Sequence, residues 1–203
     1  MTDVVEQARQ LMRTRDRVVL GIVGPPGAGK STLAEGLVTE LGGDTAVLLP
    51  MDGFHLAQAE LRRLGRAERK GAPDTFDALG YAAVLRRVHA ADDDVVYAPS
   101  FDRRIGEPVA GSIAVEPSVR VVLTEGNYLL DDADPWQRAR AELDEAWYVD
   151  TDDDVRRRRL IDRHVEFGKS ADDARRWVAA VDDVNAARVV AAKHRADLRV
   201  PGR

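Results

Sequence analysis

No cysteine occurs in this chain of 203 residues, which excludes disulfides and thiolate chemistry. Any zinc site would have to be assembled from carboxylates and only four histidines, His55, His89, His164 and His194, which share no short zinc-binding spacing. Lysine is equally scarce: Lys30, Lys70, Lys169 and Lys193 are the four lysines among 30 basic residues. The cationic groups are therefore nearly all planar guanidiniums, which suit phosphate clamping. No apolar run approaches the about 20 residues that a membrane-spanning helix needs. The charged, amphipathic start is unlike a secretory signal, so a cytoplasmic chain that engages no membrane is expected. The formal net charge of −5 argues against a dedicated nucleic-acid binder, whose footprint is a basic surface.

The chain does contain 44% hydrophobic residues, enough to bury one substantial core, and residues 1–203 are read as a single domain. Val4, Val5, Ala8, Leu11 and Met12 recur at helical spacing over residues 3–13, predicting a short helix with a structural role. Val18-Val19-Leu20-Gly21-Ile22-Val23 follows, an apolar run with no polar face, as in a strand covered on both sides. Leu33, Leu37, Val38 and Leu41 then mark one helical face, stopped by Gly42-Gly43. Further strands are predicted at 46–49, 119–124, 146–149 and 197–200, separated by charged helical stretches. The alternation predicts an α/β fold, with a parallel five-stranded sheet between two layers of helices. Between residues 95 and 115, Pro99, Gly106, Pro108 and Gly111 break the pattern into short extended pieces, read as a hairpin inserted on the substrate side.

The first strand runs into Gly24-Pro25-Pro26-Gly27-Ala28-Gly29-Lys30-Ser31, which fits G-x-x-x-x-G-K-[ST] between a strand and a helix. Glycines let the backbone curl until its N–H groups converge on phosphate oxygens, and the following helix adds the positive end of its dipole. Gly24, Gly27, Ala28 and Gly29 are thus candidates to cradle ATP, and Lys30 to reach its β- and γ-phosphates. Ser31 offers a hydroxyl to Mg2+, and Thr32 adds a nucleotide contact. The bland alternative, a glycine-rich turn that happens to precede a helix, ignores this setting. A phosphate loop alone does not choose among kinases, GTPases, motors and transporter ATPases. The chain has neither an N-K-x-D nor an L-S-G-G-Q-like segment.

Two acids follow predicted strands. Asp52, in Pro50-Met51-Asp52-Gly53-Phe54-His55, stands at the carboxyl edge where ligands of open parallel sheets sit. A carboxylate there can orient a hydroxyl and accept its proton, or it can simply be a turn residue, since Asp-Gly is common in turns. Glu125 ends the run Val121-Val122-Leu123-Thr124 and supports the metal, unless it is an ordinary solvated strand end. Gly126 allows close backbone approach, while Asn127 and Tyr128 are placed to line an acceptor pocket.

These segments resemble the P-loop kinase superfamily of uridine kinase, bacterial pantothenate kinase and phosphoribulokinase. The shared pieces are Gly24 to Ser31, Met51-Asp52-Gly53-Phe54-His55, Pro99-Ser100-Phe101-Asp102-Arg103-Arg104, Thr124-Glu125-Gly126-Asn127-Tyr128, Arg159-Leu160-Ile161-Asp162-Arg163-His164 and Ala196-Asp197-Leu198. Asp-Gly-Phe-His, Phe-Asp-Arg and Glu-Gly-Asn-Tyr-Leu-Leu are most similar to a compact nucleoside kinase or fructose transport system kinase-like subgroup. The resemblance implies a P-loop NTPase fold with a helical lid at about 152–172. It further implies Asp52 as base, Arg163 as the lid arginine, and an adenine site near Ala196-Asp197-Leu198. Phe54, His55, Phe101, Arg103, Asn127 and Tyr128 would sit with Asp52 around the acceptor, although Phe54, Phe101, Tyr128 and Trp177 are equally suited to the core. Similar kinases are often dimers or tetramers, which leaves a homodimer open.

On a helix through the lid, Arg156, Arg159 and Arg163 fall at i, i+3 and i+7. Arg159 and Arg163 are favoured for ATP and the transferring phosphate, Arg157 and Arg158 for the surface. Ser170 and Asp173 form a capping-box-like start to the next helix, with Gly168-Lys169 as a hinge. Trp177, Val181 and Val184 fit its packed face. The expected function is an ATP- and Mg2+-dependent kinase acting on a hydroxyl of a sugar, nucleoside or pantothenate-like alcohol. The alternatives are an ATP-binding regulator without productive transfer and a nucleoside-monophosphate kinase.

Overall fold

The computed structural model describes residues 2–92 and 94–202. In chain order the longer elements are α1 (Thr2–Thr14), β1 (Val18–Val23), α2 (Lys30–Leu41), β2 (Ala46–Leu48), α3 (Gln58–Arg63), α4 (Ala78–Ala90), β3 (Val96–Asp102) and β4 (Glu107–Val115). They continue with β5 (Val121–Gly126), α5 (Trp136–Arg140), β6 (Glu145–Asp150), α6 (Asp153–Glu166), α7 (Ala171–Trp177), α8 (Asp183–Ala191) and β7 (Leu198–Pro201).

Five strands form one sheet in the order β2-β5-β1-β6-β7, every neighbouring pair parallel. The α/β fold with a parallel five-stranded sheet is therefore as the sequence predicts. β1 and β5 are buried at every position because helices cover both faces. Along β1, Val18, Leu20 and Ile22 enter a core with α1 and α2, while Val19 and Val23 enter the opposite core with α4 and α5. Each such buried aliphatic side chain contributes about 1.5–3 kcal/mol relative to exposure. The third predicted strand is displaced: pairing starts at Val121 and carries Glu125 and Gly126 inside the ladder.

Residues 95–115 form a separate antiparallel hairpin of β3 and β4, with a register shift between Ala98 and Ser100. A Cβ on Gly53 would lie 2.2 Å from the Pro99 carbonyl oxygen, so only glycine lets the turn after β2 lie against β3. α6 begins at an Asp152 N-cap that accepts from the N–H groups of Asp154 and Val155. Ser170 caps α7 by accepting from Asp173 N–H, as the capping-box-like reading expects, and its hydroxyl also donates to the Asp173 carboxylate at 2.6 Å. α7 runs through a π-helical turn, Val178–Asp182, into α8. The wider turn rotates the helix face. Ala174, Val178, Ala186 and Val189 are buried, whereas Val184 is 64% exposed, so the predicted Trp177-Val181-Val184 stripe is not the packed face. Among the described residues no helix is long and apolar enough to cross a membrane.

Candidate active site

The sheet brings the carboxyl ends of β1, β2 and β5 to one edge. The loop after β1 takes left-handed φ values of 81° at Gly27 and 91° at Gly29, conformations that glycine adopts without the Cβ penalty. Gly27 also lies directly under α6: a Cβ there would meet the Arg156 carbonyl oxygen at 2.6 Å and Leu160 Cγ at 2.9 Å. Ala28 is wholly buried, and its carbonyl accepts a hydrogen bond from the Thr151 hydroxyl at 2.8 Å. Gly24 is held close to the Val149 carbonyl. The loop is thus pinned between β6 and α6.

Lys30 opens α2 with its ammonium buried, donating to Pro25 O at 3.2 Å and Asn127 Oδ1 at 2.8 Å. Burial lowers its pKa, while the charges of Glu125 and Asp52 pull it back up. Ser31 Oγ donates to Glu125 Oε1 at 3.0 Å. Burial pushes the Glu125 carboxyl above the usual carboxylate range, with Lys30 opposing and Asp52 adding to the rise. Asn127, read as an acceptor-pocket residue, here partners Lys30.

Asp52 sits in a 3-10 turn, Met51–Phe54, after β2. Thr124 fixes that turn from below: its hydroxyl donates to Leu49 O at 2.6 Å and accepts from the Tyr81 hydroxyl at 2.5 Å. Gly126 lets β5 pass beneath Met51, whose Cβ and Sδ would each be 2.7 Å from an added Cβ. The Asp52 carbonyl accepts from His55 N at 3.2 Å and from His55 Nδ1–H at 2.8 Å. Its carboxylate stays 36% exposed, 3.7 Å from an Arg103 guanidinium nitrogen. The His55 ring stacks near Phe76, at 3.9 Å, and Phe101, at 4.9 Å. Lys70 Nζ lies 5.2 Å over the Phe101 ring and donates to Gly106 O. Burial lowers the His55 pKa, with Asp52 opposing.

Arg163, on α6, faces the same edge. Burial and the like charge of Arg103 lower its pKa, while Asp182, Asp52 and Glu125 offset part of the shift. Arg156 does not join it: that side chain is 2% exposed and pairs with Asp153 and Asp183. Arg157, expected at the surface, is half-exposed and also bonds Asp183. Phe54 and Tyr128 belong to the core, Phe54 against Tyr81 at 4.9 Å and Tyr128 against Trp136 at 5.3 Å. The Tyr128 hydroxyl donates to Gly71 O at 2.6 Å.

Thr32 and Arg159 instead line a cavity of about 700 Å³ beside the phosphate loop, to which β7 and α1 also contribute walls. The sequence missed α1 here, because helical periodicity reports only the face that packs. It also missed the Tyr81–Thr124 pair, which joins residues 43 positions apart.

The chain is similar over most of its length to known kinases. A Schizosaccharomyces pombe protein provisionally named a uridine kinase is 37% identical over 177 residues, covering 83% of this chain and 75% of that protein. The uridine kinase of Latilactobacillus sakei subsp. sakei is 30% identical over 188 residues, covering 91% of this chain and 85% of that protein. A solved structure from Silicibacter sp. TM1040, provisionally named a fructose transport system kinase, superposes with a TM-score of 0.88 at 33% identity, spanning 97% of this chain and 98% of that one. No family model matches the chain. Identity at this level across most of both chains, on a parallel sheet with a phosphate loop, makes this chain a member of the uridine kinase-like family of P-loop kinases, an ATP-dependent small-molecule phosphotransferase.

Proposed function

We infer that the chain transfers the γ-phosphate of ATP to a hydroxyl of a sugar, nucleoside or pantothenate-like alcohol, with Asp52 as the base. The observation that carries this is the convergence of Asp52 with Lys30, Glu125, Arg103 and Arg163 at one sheet edge, close enough for each to act on the others' charge. The Asp52 backbone is fixed by His55 while its carboxylate is partly exposed. In the proposed step the acceptor O–H gives its proton to Asp52 as its oxygen forms a bond to the γ-phosphorus. The bond from that phosphorus to the bridging β–γ oxygen breaks, and ADP leaves. Lys30 and Arg163 neutralise charge on the transferred group, and Arg103 holds the Asp52 carboxylate. His55 and Phe101 form the wall against which the acceptor is oriented.

Mg2+ fits the residues present. Ser31 Oγ and Glu125 Oε1 are hard oxygen donors 3.0 Å apart, and the described residues hold no cluster of three or more His, Cys, Asp or Glu. That matches an ion that takes one or two protein oxygens and fills its shell with water and phosphate. When bound there, Mg2+ neutralises β- and γ-phosphate charge. Residues 152–172 serve as the lid, with α6 carrying Arg159 and Arg163 over the nucleotide.

The test is ADP release over a panel of sugars, nucleosides, pantothenate-like alcohols and nucleoside monophosphates. Asp52→Ala is expected to lower acceptor-dependent turnover about 10²–10⁴-fold while leaving ADP affinity largely unchanged. Normal turnover by Asp52→Ala sinks the base assignment. Turnover only on monophosphates favours the other acceptor class, and ATP binding without any acceptor favours a regulator.

A further inference from the structure

The 700 Å³ cavity meets the phosphate loop at Gly29 and Thr32, so it lies where the nucleoside end of a loop-bound nucleotide must go. Its volume is in the range of small-molecule sites, about 300–1,000 Å³. Val4, Leu33, Val149, Leu198 and Val200 give it apolar walls, as the faces of a flat base require. The polar side chains at its edge are not all from the lid and β7. Asp3 and Gln7 come from α1, a helix whose other face, Val5 and Ala8, is packed into the core. α1 is therefore anchored on one side and lines the cavity on the other.

We propose that α1 is a working wall of the nucleotide site and that Gln7 reads the edge of adenine. A carboxamide offers one acceptor and two donors, and so pairs bidentately with the adjacent N6 amine and N7 of adenine. A base with O6 in place of the amine presents two acceptors there and loses one of these bonds. Val4 closes the wall beside it. The proposal rests on the phosphoryl-transfer reading above only in placing a nucleotide on the phosphate loop.

Calorimetric titration with ADP and with inosine diphosphate, which differ at this edge, tests it. The wild-type chain is expected to bind ADP about 5–10-fold tighter than inosine diphosphate, the worth of about one hydrogen bond. Gln7→Ala, at an exposed helix position, should bring that ratio close to one. Val4→Trp, checked by circular dichroism for an intact fold, fills the wall and should weaken ADP at least about tenfold. An unchanged ratio in Gln7→Ala, or full ADP affinity in folded Val4→Trp, overturns the role of α1. Lys30→Ala separates the two readings. Its loss of ADP binding keeps the phosphate-loop reading whatever α1 does, whereas ADP binding indifferent to Lys30 defeats both.

Discussion

On the proposed nucleotide side of the sheet edge one continuous segment, residues 24–32, supplies the loop, the Lys30 ammonium and the Ser31 hydroxyl, and its shape is set by backbone. On the proposed acceptor side Asp52 and His55 share one turn, Lys70 and the pair Phe101 and Arg103 arrive from two further segments, and the three segments meet through the side chains of these residues. The first side is a local structure that any substrate of the family can share. The second is assembled over long sequence separations, and there acceptor identity can change without disturbing the loop. Two glycines put this contrast at risk. Gly27→Ala demands a left-handed alanine and drives its Cβ into the Arg156 carbonyl, so a loss of about 2–4 kcal/mol in urea unfolding and at least about tenfold in ADP affinity is expected. Gly53→Ala collides with Pro99 O, costing about 1–3 kcal/mol and raising the acceptor KM. Its ADP affinity should stay within about threefold of wild type, well under 1 kcal/mol. Equal damage to ADP binding by both variants would erase the distinction.

A third variant probes what joins the two sides. α6 touches the loop through Arg156 O and carries Arg163 toward Asp52. Its first turn is tied down by the buried Arg156 with Asp153 and Asp183. Arg156→Ala leaves Asp183 with Arg157 alone, so a stability loss of about 2–3 kcal/mol is expected, below that of a fully orphaned buried charge. If α6 hinges near Gly168, where φ is 96°, unpinning its start should also weaken ADP. Unchanged ADP affinity would show that the loop holds the nucleotide without its cover.

The same contrast decides what was legible in the sequence. β1, the phosphate loop and the Gly42 stop were legible because each is specified by neighbours within a few residues. Asp52 and Glu125 were legible as groups at strand ends, but the alignment of β5 was not, because register depends on the partner strand. Phe54 and Tyr128 could not be separated from Phe101 by residue type, since an aromatic serves core and pocket alike. The face of α7 and α8 was misread because a π turn adds a residue to the period without a marker in the sequence. Asn127 was legible only as a polar residue just past a strand end: its amide meets Lys30 only once β5 is laid beside β1.

The smallest expected effect concerns His55, where acceptor-side packing carries a titration. Burial holds its imidazole below the ordinary value of 6.5; Asp52 opposes through its charge and carbonyl, while Lys70 and Arg103 add to the lowering. The unfolded chain therefore takes up a proton near pH ~6.5 that the native state resists. The His55 contribution to stability is complete above that pH and is lost as pH falls toward the lower native pKa, at no more than about 1.4 kcal/mol per pH unit. His55→Phe keeps a ring between Phe76 and Phe101 but removes the titrating nitrogen and the bond to Asp52 O. It should cost about 1 kcal/mol near neutral pH and flatten the decline in unfolding free energy between about pH 7.5 and 5. Its ADP affinity should follow the wild-type pH profile, since none of the loop's nitrogen donors is moved. Parallel unfolding curves for wild type and variant would remove His55 from the acid response and leave its ring as packing alone.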